Sequence, residues 1–236
     1  MRCAGCPLLA SGPVSTPRRI SIALPDGSVS GALHDPASKR GAAVVMAPGA
    51  GTSMDNPLLV AVAEGLAARG HAVLRFNFAY HEKGSKRPDP PKKLLAAYRA
   101  AADEMRARSK AKLVIGGKSM GGRMASLLAA EGYPCDGLLF LGYPLHPAGK
   151  PEQLRDAHLK DVRAPMLFVQ GTRDTLCDLS LLRPVLTRLD GRATLHEVRG
   201  GDHSFEVRKS DGRSEEEVVS EVIGASADWI AKVVLA

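Results

Sequence analysis

The chain is poor in aromatic residues. Phe, Trp and Tyr make up 4% of its 236 residues, with a single tryptophan. Single-stranded nucleic acids are bound on aromatic stacking platforms, for which so low an aromatic content offers little material. Cysteine is also scarce, with Cys3, Cys6, Cys135 and Cys177 only. Cys3 and Cys6 have C-x-x-C spacing, but no second Cys or His pair stands at zinc-binding distance to close a site. A chain of this length can bury a full core without disulfides or metal. Cys3 and Cys6 therefore read as free thiols in a tail, Cys135 and Cys177 as reduced packing residues. Long hydrophobic runs are missing as well. The apolar stretch at 137–142 is far too short to cross a bilayer. The first residues, MRCAGCPLLASGPVSTPRR, hold one early basic residue and a broken five-residue apolar patch, too short for the core of a signal peptide. Residues 1–17 are expected to be a flexible tail and residues 18–236 a single domain. The expected location is cytoplasmic, without membrane contact.

Hydrophobic residues make up 44% of the chain and charged residues 24%, a globular balance. The formal net charge is +7. Most of it is scattered, which argues against a nucleic-acid partner. One run is dense, HEKGSKRPDPPKK at 81–93. It reads first as a solvated loop. A second reading is a rim that attracts anions.

Elements follow from the hydrophobic pattern. Residues 20–24 and 28–33 alternate around Pro25-Asp26-Gly27, as in a β-hairpin with a tight Asp-Gly turn. The run at 42–47 is continuously apolar, as in a strand buried on both faces. Leu59, Val62, Ala63 and Leu66 form one face of a helix over 57–69, with Gly70 as its stop. Residues 71–76 read as a strand. Leu94, Tyr98, Ala101 and Met105 mark the next helix, 112–116 the next strand and 120–130 a helix of small residues. Strands follow at 137–142, 165–170 and 193–198. A helix at 179–189 has Pro184 near its first turn or at a kink. Ser214 and Glu217 form a capping box for a last helix through Val222, Ile223, Ile230 and Val233. Alternating strands and helices imply an α/β fold, a mostly parallel sheet of roughly eight strands flanked by helices. The 22 residues from 143 to 164 are the main irregular connection and too few for a large lid.

The stretch GGKSMGG at 116–122 has two readings. Gly-Lys-Ser could end a phosphate-binding loop, G-x-x-x-x-G-K-[ST]. The first glycine would then be residue 112, which is a lysine, and the wrapping loop would be Leu113 to Gly116, which reads as strand. A strand cannot wrap a phosphate. Gly117-Lys118-Ser119-Met120-Gly121 also fits G-x-S-x-G, the sharp strand-to-helix turn that exposes a nucleophilic serine. Glycines at the flanking positions remove side chains that would clash there. The motif stands between an apolar strand and a helix, where that turn belongs.

A serine hydroxyl needs a base, and the base needs a carboxylate to fix its tautomer. In such a sheet the order is serine, acid, histidine, each at a C-terminal strand end. LFVQGTRD at 167–174 places Asp174 after a strand, and VRGGDH at 198–203 places His203 after the last one. Among the seven histidines, His71 begins a strand, at the wrong edge, and His196 lies within one. His34, His146 and His158 precede or lie off the terminal strand, and His81 precedes the serine. Each of these reads as structural. Asp178 is the nearest substitute for Asp174. Asp202 adjoins the histidine, and adjacent side chains normally diverge. The oxyanion would be held by the backbone N–H of Met120 and by one from Pro48-Gly49-Ala50-Gly51, with Ala50 first and Gly51 second. A plain glycine turn into the helix is the other reading of that loop.

On APGAGTSMDNP (47–57), GGKSMGGRMAS (116–126), YPLHPAGKP (143–151), LFVQGTRD (167–174) and GGDHSF (200–205), residues 18–234 resemble the α/β-hydrolase superfamily. The likeness is to its small lid-less, dienelactone-hydrolase-like branch. Within it the chain is similar to a compact family shared with a testis-expressed vertebrate protein and a subunit of a chromatin acetyltransferase complex. The resemblance implies a Ser-His-Asp hydrolase and carries Ser119, Asp174 and His203 over as catalytic residues. Many members have His-Gly where this chain has Pro48-Gly49, so the second oxyanion donor rests on backbone alone. The family does not by itself guarantee turnover.

The expectation is a serine hydrolase of small carboxylic esters or thioesters, working through an acyl-enzyme, with no metal or organic cofactor. The substrate would be a small acyl compound, anionic if the basic run borders the site. Two alternatives are a binding or scaffold protein on the same fold, and an acyltransferase or acyl-coenzyme A thioesterase.

Overall fold

The computed structural model describes residues 16–36 and 41–236. Of the expected tail over 1–17, residues 1–15, with Cys3 and Cys6, lie outside the described residues. Strands β1 (Arg18–Leu24) and β2 (Gly27–His34) form the hairpin. Leu24 pairs with Gly27, so the two central turn residues are Pro25 and Asp26 rather than Asp26 and Gly27. Proline suits the first central position and glycine the fourth, which explains the shift by one residue.

The remaining strands are β3 (Ala43–Ala47), β4 (Ala72–Phe76), β5 (Leu113–Lys118), β6 (Gly137–Leu141), β7 (Met166–Gly171) and β8 (Ala193–Val198). The eight strands form one sheet in the order β1-β2-β4-β3-β5-β6-β7-β8. The pairs β1–β2 and β2–β4 are antiparallel and the rest parallel. The parallel strands therefore end on one edge, where α/β folds place their sites. Strand β5 runs two residues beyond the apolar pattern, because Gly117 and Lys118 still pair with Ala47, Phe140 and Leu141.

Helices cover both faces. Helices α1 (Pro57–Ala67) and α6 (Glu215–Trp229) pack on one, with Val44 and Met46 of β3 beneath them. Helices α3 (Pro91–Arg108), α4 (Met120–Ala130) and α5 (Leu179–Thr187) pack on the other, over Ala43, Val45 and Ala47. That alternation along β3 is the two-residue period of a strand buried on both sides. The stripe Leu94, Tyr98, Ala101 and Met105 is buried as its spacing requires. A short helix α2 (Ala79–Glu82) takes up the start of the basic run. Pro184 lies inside α5, not in its first turn. Ser214 and Glu217 form the reciprocal capping box at α6. The last helix continues past Trp229 as a π-turn, Ile230–Val234. Between β6 and β7 there is one 3-10 turn, Leu159–Asp161, and no lid. Cys135 and the buried Cys177 are free thiols, and burial raises both pKa values. Among the described residues no helix is long and apolar enough to cross a membrane.

Tyr98 links α3 to the centre of the sheet. Its hydroxyl lies 2.5 Å from Gly116 O and 3.1 Å from Val45 O, and it accepts the Gly116 N–H at 2.7 Å. The side chain is fully buried, which raises its pKa well above the ordinary value. Tyr98→Phe leaves those backbone groups of β3 and β5 without their buried partner. Urea unfolding should show a loss of about 1–3 kcal/mol. Ser214→Ala, which removes an exposed cap, should cost about 1 kcal/mol.

Candidate active site

Ser119 occupies the turn between β5 and α4, with φ 49° and ψ −115°. Among the described non-glycine residues only Asp190 and Phe205 share a positive φ. Such backbone costs about 1–3 kcal/mol and persists only where the surroundings enforce it. The enforcing contacts are visible. A Cβ on Gly117 would lie 2.1 Å from Ala47 O, and one on Gly121 would lie 2.2 Å from the same oxygen. A Cβ on Gly116 would lie 1.9 Å from Leu139 O. The turn is therefore wedged between β3 and β6, and only glycine fits on either side of the serine.

The loops after β7 and β8 are tied together by backbone. Arg173 N–H donates to Gly201 O at 2.8 Å, and a Cβ on Gly171 would lie 2.4 Å from that oxygen. This close approach brings Asp174 beside His203. Asp174 Oδ2 lies 2.7 Å from His203 Nδ1, and His203 Nε2 lies 2.8 Å from Ser119 Oγ. The Asp174 side chain is fully buried and that of His203 is 23% exposed. The carboxylate also accepts the Leu176 N–H at 2.7 Å and the Gln170 amide at 2.5 Å. An acceptor-only carboxylate on Nδ1 makes that nitrogen the donor. Nε2 is then left with a lone pair facing the serine hydroxyl.

Asp178 stands elsewhere: it caps α5 by accepting the Ser180 N–H. Asp202 Oδ1 accepts the N–H groups of Ser204 and Glu206 and so folds its own loop. Of the other histidines, all but His81 have side-chain hydrogen-bond partners away from Ser119. His71 Nδ1 accepts the Ala42 N–H, and His146 Nε2 accepts that of Asp178. His34 faces buried Arg75, and burial followed by that charge lowers its pKa to about 4. His196 meets Glu221 at 2.8 Å. His81 lies in α2.

A second Ser-His contact exists, Ser126 Oγ to His158 Nε2 at 2.7 Å. Its chemistry runs the other way. Ser126 is fully buried within α4 and donates its hydrogen to Arg123 O at 2.8 Å. Its oxygen therefore accepts from the imidazole, which burial and then Arg123 push to a pKa of about 4. This pair packs α4 against the 143–164 connection.

Of the residues expected to hold an oxyanion, Met120 is the first residue of α4, so its N–H has no partner within the helix. Gly49 reaches over the serine, a Cβ there lying 3.6 Å from Ser119 Cβ. The Gly51 N–H is already used, donating to Tyr80 Oη at 3.2 Å. Ala50, exposed beside it, has no hydrogen-bond acceptor for its N–H among the described residues. The loop therefore leaves the Ala50 donor available and spends the Gly51 donor on its own shape. The basic run borders this loop, for Lys86 O lies 3.5 Å from where a Gly51 Cβ would stand. Among the described residues no group of three or more His, Cys, Asp or Glu could hold a metal ion.

Three residues near the site escaped the sequence reading: Gln170, Tyr80 and Lys118. Gln170 is fully buried, orients Asp174 and accepts the Tyr143 N–H at 2.9 Å. A polar residue closing the apolar run LFVQ was the available signal. Tyr80 could not be found that way, because its partner is a backbone group 29 residues distant.

Residues 40–231 match the family described as the alpha/beta hydrolase domain. Among solved structures the chain is similar to a lid-less α/β serine hydrolase from Xanthomonas campestris. They share 24% identity over 95% of this chain and 99% of that one, with a TM-score of 0.73. It is similar to an α/β serine hydrolase homologue from Coxiella burnetii at 19% identity, covering 92% and 99%, with a TM-score of 0.73. It is also similar to a dienelactone hydrolase from Anabaena variabilis at 22% identity, covering 93% and 100%, with a TM-score of 0.72. Sheet order, strained serine turn and family match agree, and the chain belongs to the α/β-hydrolase family.

Proposed function

We propose that this protein is a serine hydrolase that cleaves small carboxylic esters or thioesters through an acyl-enzyme. The observation that carries the reading is the hydrogen-bonded series Asp174, His203, Ser119, with the serine held at a strained turn. Ser119 Oγ attacks the acyl carbon while His203 Nε2 takes its proton. The carbonyl oxygen becomes an oxyanion, held by the N–H groups of Met120 and Ala50. Collapse expels the alcohol or thiol, which receives the proton from His203. Water, deprotonated by the same imidazole, then releases the acid and restores the serine. Asp174 holds the tautomer and offsets the charge on the imidazolium. Without a lid the site is open, which favours small acyl groups over long lipid chains. The likeness to a protein named as a dienelactone hydrolase supports an ester substrate, since a lactone is a cyclic ester.

One observation favours a narrower substrate class. The basic segment at 81–93 adjoins the Gly51 loop, so anionic acyl compounds would be drawn to this edge. A thioester of an anionic carrier fits the same charge.

A fluorophosphonate probe should label the wild-type chain, and neither Ser119→Ala nor His203→Ala, each checked for folding. Absence of labelling on folded wild type would turn the reading toward a binding protein. Asp174→Asn should keep the fold and lower kcat by about 10³–10⁴-fold. Raising salt from about 0.05 to 0.5 M should lower kcat/KM for an anionic ester and leave a neutral one unchanged. Equal responses would remove the steering role of the basic segment.

A further inference from the structure

Lys118 precedes the serine and is only 8% exposed. The partner of its ammonium is not a carboxylate but the backbone carbonyl of His203, at 2.5 Å. Nζ also faces the Phe205 ring, 5.8 Å from its centroid. Burial lowers its pKa to about 8, opposed by Asp174 after β7 and Asp202 after β8. Glu206 and Glu215 line, together with Lys118, Leu58 and Phe205, a cavity of about 370 Å³. Burying an ammonium is expensive, and an apolar chain of similar length would fill the space at less cost. Gly142 leaves room for it, since a Cβ there would lie 3.0 Å from Nζ.

The loop that carries His203 is tied to the loop after β7, through Arg173 N–H to Gly201 O at 2.8 Å and Gly200 N–H to Thr172 Oγ1 at 2.9 Å, and to itself. Asp202 Oδ1 binds the N–H groups of Ser204 and Glu206, and Phe205 adopts a φ of 66°. The Ser119–His203 bond cannot fix the loop during reaction, because that bond is remade as the proton moves. The Lys118 bond to the His203 carbonyl joins the base loop to the nucleophile strand without touching the reacting atoms.

We propose that Lys118 is a positioning residue. Its ammonium clamps the loop bearing the general base onto the strand bearing the nucleophile, and so fixes the Ser119–His203 distance. The inference rests on the hydrolase reading for its effect on rate, and on geometry alone for the clamp. Below pH about 8 the ammonium is present, and as pH rises through that value the charge is lost. A neutral amine makes a weaker bond to the carbonyl and gives up its attraction to the aromatic face. Arginine keeps its charge to far higher pH.

The test uses the full chain, K118M and K118R. Hydrogen exchange is followed over residues 199–206, with thermal unfolding as a check of fold, and kcat and KM are measured against pH on a short acyl ester. Expected for K118M are exchange about tenfold faster in that loop and kcat lower by about ten- to a hundredfold. KM should stay within about twofold. Wild-type kcat should decline above pH about 8, and K118R should extend the plateau. Unchanged loop exchange in K118M, or an identical alkaline decline in K118R, would overturn the proposal. If wild type turns over no ester, the hydrolase reading fails and loop exchange alone decides the clamp. If K118M does not fold, wild type and K118R compared at pH 7 and pH 9.5 carry the test. Loosening of the loop at pH 9.5 in wild type alone supports the clamp, and equal behaviour overturns it.

Discussion

Ser119 is held in a backbone conformation that a residue with a side chain normally avoids. Everything at this edge of the sheet follows from how it is held. Gly116 presses on β6, while Gly117 and Gly121 press on the last carbonyl of β3. With no Cβ at these points, three strands and the start of α4 close to backbone contact. The serine is the residue that must then project outward. The cost of the turn is offset by the sheet pairing on both sides of it, in which Gly117 is matched with Ala47 and Phe140. Tyr98 adds a buried hydroxyl directly beneath, on the backbone of Gly116.

The rest of the site is arranged around that fixed point by loop-to-loop backbone bonds. Parallel strands deliver their C-terminal loops to one edge, so Asp174 and His203 arrive there from β7 and β8. Their final approach depends on Gly171, where a Cβ would lie 2.4 Å from Gly201 O and 2.5 Å from Asp202 O. Electrostatics then select a chemical state. A buried carboxylate surrounded by the donors of Gln170, Leu176 and His203 fixes the imidazole tautomer. The Ser126–His158 pair has the same atoms at a similar distance and no such carboxylate. Its serine is turned back on its own helix. The two pairs share a distance and differ in the direction of their hydrogen bonds.

Much of this was legible in the sequence because the signals are local. Period-two and period-3.6 patterns located the strands and helices, and the glycines of GGKSMGG marked the turn. The order of serine, acid and histidine narrowed seven histidines to His203. The differences came where a local signal was overruled. The hairpin turn moved by one residue because proline suits the first central position. Strand β5 outlasted its apolar run because two neighbouring strands were there to pair with Gly117 and Lys118. Pro184 was accommodated inside α5.

The amino-acid sequence by itself determined the α/β alternation, the sharp turn at Ser119 and which side chains could reach one edge. These depend on residue type and spacing along the chain. Only the tertiary structure decided which amide of the loop after β3 stays free, since the Gly51 N–H is taken by Tyr80 from another segment. It also decided that Gln170 supports Asp174 and that Lys118 reaches the His203 carbonyl, 85 residues away. Those outcomes turn on which donors and acceptors meet once loops distant in the chain are packed together, and no local pattern records that.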